Sequence, residues 1–305
     1  MKIASLDLGT NSFLCLIAEI SKGKIEVLSD SARVVRLGEK VHENKSFLPQ
    51  ALARAEACLK DFKEEIDKHQ VDKVIATATS AARDASNGDE LRRICDNLDI
   101  PLYIIEGKKE AELSFAGALS ALPDAGKIKV LVVDVGGGST ELIYQEPGAP
   151  LKSRSFELGC VRLTEMFLKK DPVDSKELFD LRKYSQNLLV EFGSIDPDVI
   201  IAVAGTPTTL ACVEQKINFN EDQVEGYVLT KEKIKNMTEL LGSLPMAFRK
   251  KVKGLDPMRA DVIVAGAVLL EQTLDLAGTE ELCVSTRGLR FGVALNHDEF
   301  DEKAF

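Results

Sequence analysis

Two stretches of this chain, 127 positions apart, read alike. DLGTNS at 7–12 and DVGGGS at 134–139 share an aspartate, a glycine two residues on and a serine three residues further. Each closes one apolar run and opens another, with KIASL before and FLCLIAEI after the first, KVLVV before and TELIY after the second. A strand, a glycine turn and a second strand occurring twice predict a duplicated domain with two facing turns. Chance likeness between two ordinary hairpins is the competing reading.

The segments after the two turns extend the repeat. After the first, SKGK leads into a third strand, IEVLSDSARVV, which completes a β-meander. Leu52, Leu59, Phe62 and Ile66 at helical spacing predict a helix from Pro49 to His69. VDKVIATATS reads as a strand, Asn87–Asp99 as a helix, PLYIIEG as a strand and 108–122 as a helix. From Lys127 the scheme recurs, with LKSRSFELG as the third strand, helices near 160–169 and 174–192, and the strand DVIIAVAG. A helix then opens at Thr206, a long apolar helix covers 257–277, and LCVSTRGLRFGV closes the core. LPDAGKI at 122–128 marks the boundary, so the domains are read as 1–124 and 125–305, with the last residues able to pack back on the first.

A length of 305 residues suits two such domains. No run approaches the ~18 uncharged apolar residues of a membrane span, and Asp7 interrupts the apolar stretch a signal peptide needs. A cytoplasmic protein is expected. The six cysteines form no Cys-x-x-Cys pair and the three histidines are isolated, which argues against zinc, disulfide and histidine-based chemistry. A net charge of −10 disfavours nucleic acid as a partner. It leaves room for a local basic path for a polyanion, for which Arg249, Lys250, Lys251 and Lys253 are candidates, and Lys152, Arg154, Lys169 and Lys170 weaker ones. A solvated basic face is the alternative.

Gly136, Gly137 and Gly138 place no side chain between a ligand and the backbone amides. Glycine also tolerates positive φ, which lets successive N–H groups converge on an anion. Ser139 and Thr140 add hydroxyl donors. Asp134 repels a phosphate, so its natural role is to hold a divalent cation or a cation-bound water. In AVAGTPTTLA, Gly205 and Thr206 follow a strand and open a helix, where free amides suit an anion. STRGLRFG at 285–292 is a similar turn.

These turns resemble the phosphate loops of the actin, sugar-kinase and chaperone-ATPase superfamily. Within it the chain resembles the exopolyphosphatase and guanosine pentaphosphate phosphatase family along nearly its whole length. The stretches that carry the likeness are DLGTNSF (7–13), ATSAARDA (78–85), IEGKKEAELSFAG (105–117), DVGGGSTEL (134–142), ELGCVRL (157–163), AGTPTTLA (204–211), GLDPMRADVIVAGA (254–267) and STRGLRFG (285–292). The likeness is to the short form, without a C-terminal helical extension.

The resemblance implies an α/β fold of two duplicated actin-like ATPase (ribonuclease H-like) domains, with the active site in a central interdomain cleft. It implies Glu110 as the carboxylate that activates the attacking water. By itself, a glutamate at a helix start is a charge–dipole partner. Lys109 stands where the family usually has an acidic residue and Glu112 where a basic one is common. Glu141 is read as a second catalytic carboxylate that also places metal, against the alternative of a solvated strand residue. Arg83 matches a position that contacts substrate phosphate, against a surface ion pair. Asn11 and Ser12 join the phosphate-binding set from the first turn, and Asp7 joins Asp134 and Glu141 as a candidate metal ligand. The implied cofactor is magnesium or another divalent cation, with a monovalent cation as a further candidate.

The implied reaction is release of terminal phosphate from inorganic polyphosphate. Conversion of guanosine pentaphosphate to the tetraphosphate is the alternative. A kinase for acetate or a sugar and a nucleotide-dependent assembly module are more distant readings. No nucleic-acid or membrane partner is expected, and a homodimer stays open.

Overall fold

The computed structural model describes residues 1–21, 23–122 and 127–300. The centre of the expected boundary, 123–126, lies outside the described residues. Two compact units emerge: Met1–Ser120 together with the segment from Gly288 on, and Ala121–Arg287.

In the first unit, β1 (Lys2–Leu8), β2 (Ser12–Ser21) and β3 (Lys24–Val34) form the meander. Then come α1 (Val41–Asn44), α2 (Pro49–His69), β4 (Lys73–Ala78), α3 (Ser80–Asp84), α4 (Gly88–Asp96), β5 (Leu102–Ile104) and α5 (Gly107–Leu119). The sheet runs β3-β2-β1-β4-β5, with β1 antiparallel to β2 and parallel to β4. Pro49 starts α2, where its missing N–H costs nothing, and Gln70 ends it in the left-handed conformation. The face of α2 carrying Leu52, Leu59, Phe62 and Ile66 is buried in one core with Leu6, Leu8 and Phe13.

The second unit repeats the order with β6 (Val130–Val135), β7 (Thr140–Gln145), β8 (Lys152–Phe156), α6 (Cys160–Phe167), α7 (Ser175–Leu189), β9 (Val199–Val203) and α8 (Gly205–Gln215). It continues through α9 (Glu221–Val224), β10 (Val228–Thr230), α10 (Lys231–Ser243), α11 (Met246–Arg249), α12 (Ile263–Ala277) and β11 (Glu281–Val284). Its sheet, β10-β11-β9-β6-β7-β8, is the first sheet's order with one added edge strand. This ribonuclease H-like order, present twice, is that of the actin-like ATPase fold. β6 is buried on both faces and accordingly reads as a continuous apolar run.

The long helix expected at 257–277 begins later, at Ile263. Asp256 caps a short 3-10 turn at Pro257–Arg259 by accepting from the Met258 amide at 2.9 Å, and the chain bends before α12 starts.

The last helix, α13 (Leu289–Leu295), belongs with the first unit, although it follows the second in the chain. Glycines make this possible. A Cβ at Gly292 would lie 1.8 Å from the Leu113 carbonyl oxygen, and one at Gly117 would lie 2.1 Å from that of Gly288. Arg290 then binds both carboxylate oxygens of Asp30, at 2.8 and 2.5 Å, so its charge is committed to packing. No described helix is long and apolar enough to cross a membrane.

Candidate active site

The parallel strands of each sheet end on one edge, and open α/β sheets bind ligands beyond the carboxyl ends of their strands. In the first unit β1, β4 and β5 lead into the Gly9–Asn11 turn, α3 and α5. In the second, β6 and β9 lead into the 136–139 turn and α8. The sequence-predicted residues therefore gather at two edges, one in each unit.

The two aspartate–glycine turns are built alike. The Gly9 amide donates to the Ser12 carbonyl at 3.1 Å, and the Gly136 amide donates to the Ser139 carbonyl at 3.0 Å. A Cβ would meet those same oxygens at 2.9 Å and 3.0 Å. Neither glycine lies in the left-handed region, so close approach is what each supplies; at Gly136 this stands in place of the positive φ expected from the sequence.

Behind the second turn stands the start of α6. The Cys160 amide donates to Gly136 O at 3.0 Å, and the Val161 and Arg162 amides donate to Gly137 O at 2.9 and 3.2 Å. Arg162 Nε donates to Gly138 O at 2.8 Å. Three successive carbonyls are thus bound on one side. In planar trans peptides the next N–H opposes each carbonyl, so the amides of Gly137, Gly138 and Ser139 face the other way. Such a row, a nest of N–H groups, has the chemistry to bind an anion. Gly159 is required here, since a Cβ on it would lie 2.1 Å from Gly137 O.

In the first unit the segment after β3 plays the same part. Val35 and Arg36 amides donate to Asn11 O at 3.0 and 2.8 Å, and the Gly38 amide donates to Thr10 O at 2.8 Å. Asn11 is 5% exposed, and its Nδ2 has no acceptor among the described residues. A buried donor in that state is one that a bound anion would satisfy. Ser12, half-buried, ends the same turn. Ser80 Oγ, at the start of α3, is also buried with no partner among the described residues, and sequence reasoning did not single it out.

Asp134 and Glu141 are register partners across β6 and β7. Directly opposed residues have Cβ atoms ~4.5–5.5 Å apart on one face of the sheet. Both are buried, and Glu141 Oε1 accepts from Ser155 Oγ at 2.6 Å, so the solvated-strand alternative for Glu141 is excluded. In the first unit Asp7 faces Leu14 at the equivalent place. The carboxylate pair of the second turn is therefore not repeated in the register of the first. Two buried oxygen-donor side chains suit a hard divalent cation whose remaining ligands are water and phosphate oxygens. No group of three or more His, Cys, Asp or Glu side chains able to hold a metal occurs among the described residues.

Glu110 lies in the first turn of α5 and is 7% exposed. Arg83, at the end of α3, donates through Nη1 to Glu110 Oε2 at 2.9 Å and to the Ile105 carbonyl at 2.7 Å. The two predicted residues thus meet as a part-buried ion pair, Glu110 buried and Arg83 half-buried, rather than a surface one. Lys109, the departure from the family pattern, pairs with Glu299 and lies 3.9 Å from Glu112, so the altered charges match locally.

Several expected donors are engaged elsewhere. The Thr140 hydroxyl donates to the Leu158 carbonyl and is fully buried, because the β7 alternation turns it inward. Thr206 packs its side chain on α12, where a Cβ on Gly266 would lie 2.5 Å from its Oγ1, and it shares a hydrogen bond with Cys160. What Thr206 and Gly205 offer an anion is the amino end of α8. Arg249 is buried and donates to the Leu241, Leu244 and Ala260 carbonyls at 2.6, 3.0 and 3.1 Å, so it is no part of a basic path. Arg154 pairs with Glu191 at 2.5 Å, Lys170 with Asp174 at 2.9 Å, and Lys169 with the Glu165 carbonyl; Lys152 stacks on Phe192.

One cation was missed. Arg259, in GLDPMRAD, lies so close to Gly205 that a Cβ there would be 2.0 Å from Nη1. Burial lowers the pKa of its guanidinium, an environment that favours an anionic neighbour. The only signal in the sequence was an arginine inside a matched motif. Ala204, just before this helix, has φ 75° and ψ −170°, a region that is essentially glycine's.

A two-unit fold of this order, with matched glycine turns at the strand ends, is the actin-like ATPase fold. The chain belongs to the Ppx/GppA phosphatase family, whose model matches residues 16–299. It is 34% identical over 316 residues to exopolyphosphatase 2 of Mycobacterium tuberculosis, covering 97% of this chain and 98% of that protein. It is 34% identical over 319 residues to a bifunctional 3-dehydroquinate synthase/phosphatase of Fusobacterium nucleatum, covering 96% of this chain and 46% of that protein. This chain therefore spans just under half the length of that second relative. The crystal structure of the Aquifex aeolicus Ppx/GppA family member superposes with a TM-score of 0.81 at 31% identity, over 99% of both chains.

Proposed function

We propose that the protein is an exopolyphosphatase, which releases terminal phosphate from inorganic polyphosphate by attack of water on the terminal phosphorus. The observation that carries this reading is Glu110, a buried carboxylate held by Arg83 at the edge of its sheet where the parallel strands end. A kinase must keep water away from the phosphoryl group, whereas a fixed carboxylate beside the substrate serves to orient water and take its proton. The water oxygen bonds to phosphorus, the anhydride P–O bond breaks, the shortened polyphosphate leaves with the bonding electrons, and the proton passes to Glu110.

In this reading each unit contributes phosphate-binding groups from its own turn. The amides of Gly137, Gly138 and Ser139, with the Ser139 hydroxyl, bind oxygens of the terminal phosphate. The amino end of α8 at Gly205 and Thr206, with Arg259, binds the next phosphate, and Asn11 and Ser12 contribute from the first turn. Asp134 and Glu141 would hold a divalent cation such as magnesium, which when bound supplies neutralisation of phosphate charge. Asp7, opposite Leu14, organises its own turn. Arg83, which pairs with Glu110, would bring its positive charge to a phosphate oxygen.

The test is phosphate release measured side by side on short polyphosphate, long polyphosphate, guanosine pentaphosphate and ATP, with no acceptor added. Release from polyphosphate faster than from the other substrates is expected. Release confined to guanosine pentaphosphate would move the activity to the alternative substrate, and transfer seen only with an added acceptor would make the protein a kinase. In the same assay, Asp134→Asn is expected to raise the magnesium concentration for half-maximal rate.

A further inference from the structure

The nest at the second turn is held by two different devices. The peptides after Gly136 and Gly137 are fixed by backbone amides at the start of α6, which almost any sequence in that helix would supply. The peptide after Gly138 is fixed through a side chain, with Arg162 Nε 2.8 Å from Gly138 O. In the first unit the corresponding carbonyl, that of Asn11, is bound by two backbone amides, from Val35 and Arg36. The second turn relies on a side chain where the first relies on the main chain.

We propose that Arg162 is a positioning residue for phosphate binding: by holding the Gly138 carbonyl it keeps the Ser139 N–H facing the terminal phosphate. This rests on the reading of the second turn as the phosphate cradle. Gly138 lacks a Cβ, so nothing local stops its peptide from rotating. Rotation would withdraw the Ser139 amide and present a carbonyl oxygen to the anion, turning an attraction into a repulsion. Arg162 is 8% exposed, and its Nη2 lies 2.5 Å from Glu157 Oε2. The planar fork of a guanidinium reaches the carbonyl and the carboxylate together. A lysine at this position is a single point charge and would be drawn to Glu157.

The experiment tracks the backbone amide resonances of Gly137, Gly138 and Ser139 during titration with inorganic phosphate, and steady-state kinetics on short polyphosphate. In the native protein all three amides should shift. In Arg162→Gln the Ser139 response should be lost, phosphate should bind about 10-fold more weakly, and KM should rise by a similar factor. Because the contact is made before and during the reaction, kcat should change by less than about 3-fold. Arg162→Lys should also raise KM, and adding Glu157→Gln to it should bring KM back down, since the freed ammonium can turn to Gly138 O. That rescue is a result that a merely structural arginine would not give, and it serves if Arg162→Gln does not fold. Absence of any amide shift in the native protein would overturn the nest and this role together. A normal native response, with affinity, KM and the Ser139 shift unchanged in Arg162→Gln or with no KM change in Arg162→Lys, would overturn the role of Arg162 alone.

Discussion

Arg83 Nη1 stands 2.9 Å from Glu110 Oε2 and 2.7 Å from the Ile105 carbonyl oxygen, tying the end of α3 to the entry of α5. The carboxylate is thereby oriented before any substrate arrives. Glu110→Gln keeps size and most hydrogen bonding but removes the charge that, in the proposed reaction, takes a proton from water. Turnover should fall by ~10²–10⁴ while phosphate still binds. Arg83→Met should lower turnover and also stability, by about 3 kcal/mol, because a buried carboxylate loses its counter-charge. Turnover and denaturant unfolding of both variants check this. More than about a tenth of native turnover in Glu110→Gln, well above the range expected of a lost base, removes Glu110 from the water-activating role.

Gly159 touches the 136–139 turn itself. A Cβ there would lie 2.1 Å from Gly137 O and 2.3 Å from Gly138 N, distances that only movement of the turn can relieve. Gly159→Ala should cost about 1–3 kcal/mol of stability and abolish phosphate binding. Gly242, in α10, makes the matching control, since its Cβ would meet Leu178 Cδ1 at an ordinary 3.6 Å. Gly242→Ala should stabilise the fold by about 0.5–1 kcal/mol and leave turnover unchanged. Calorimetric phosphate binding with thermal unfolding separates the two. Intact phosphate affinity in Gly159→Ala contradicts the assignment of the turn.

Ala204 holds φ 75° and ψ −170° at the entrance to α8. A side chain in that region costs of order 1–3 kcal/mol, and glycine avoids it. Glycine also adds about 0.5–1 kcal/mol of unfolded-state freedom, so Ala204→Gly should be net stabilising by about 1 kcal/mol. Chemical denaturation measures the difference. A destabilised Ala204→Gly would show that the alanine backbone is not strained.

Cys15, Cys58 and Cys95 are buried, and burial pushes each thiol up to about 12 from an ordinary value of 9.0. Below pH 9 these thiols are neutral in folded and unfolded chains alike. Above it the unfolded chain releases their protons first, so it binds fewer protons than the native state and stability falls with rising pH. The loss should run from about pH 9 to 12 and weaken when the three are replaced by alanine or valine. Unfolding free energies across that window test it. A flat profile in the native chain would show that the thiols ionise as easily folded as unfolded.

Much of this molecule is dictated by patterns confined to a few neighbouring residues. The apolar run, glycine and second apolar run at 7–12 and 134–139 were enough to place two meanders, because strand periodicity and the need for a side-chain-free turn are local demands. The apolar face of α2, its proline start and the apolar strand ahead of Gly205 are of the same kind. Glu110 was found through a matched motif, yet its pairing with Arg83 joins segments separated by two elements. Arg249 sat in a basic run that reads as a surface, but its guanidinium serves three carbonyls inside the second unit. Asp7 and Asp134 look equivalent along the chain. Strand register separates them, by setting Leu14 opposite one and Glu141 opposite the other. The last helix returns to the first unit because Gly117 and Gly292 let two helices touch, and Arg259 lies on Gly205 because the chain bends before α12. Each of these is decided by which distant group arrives to pack or to share a hydrogen bond. Neighbours along the chain carry no record of that group, so only the folded structure could supply it.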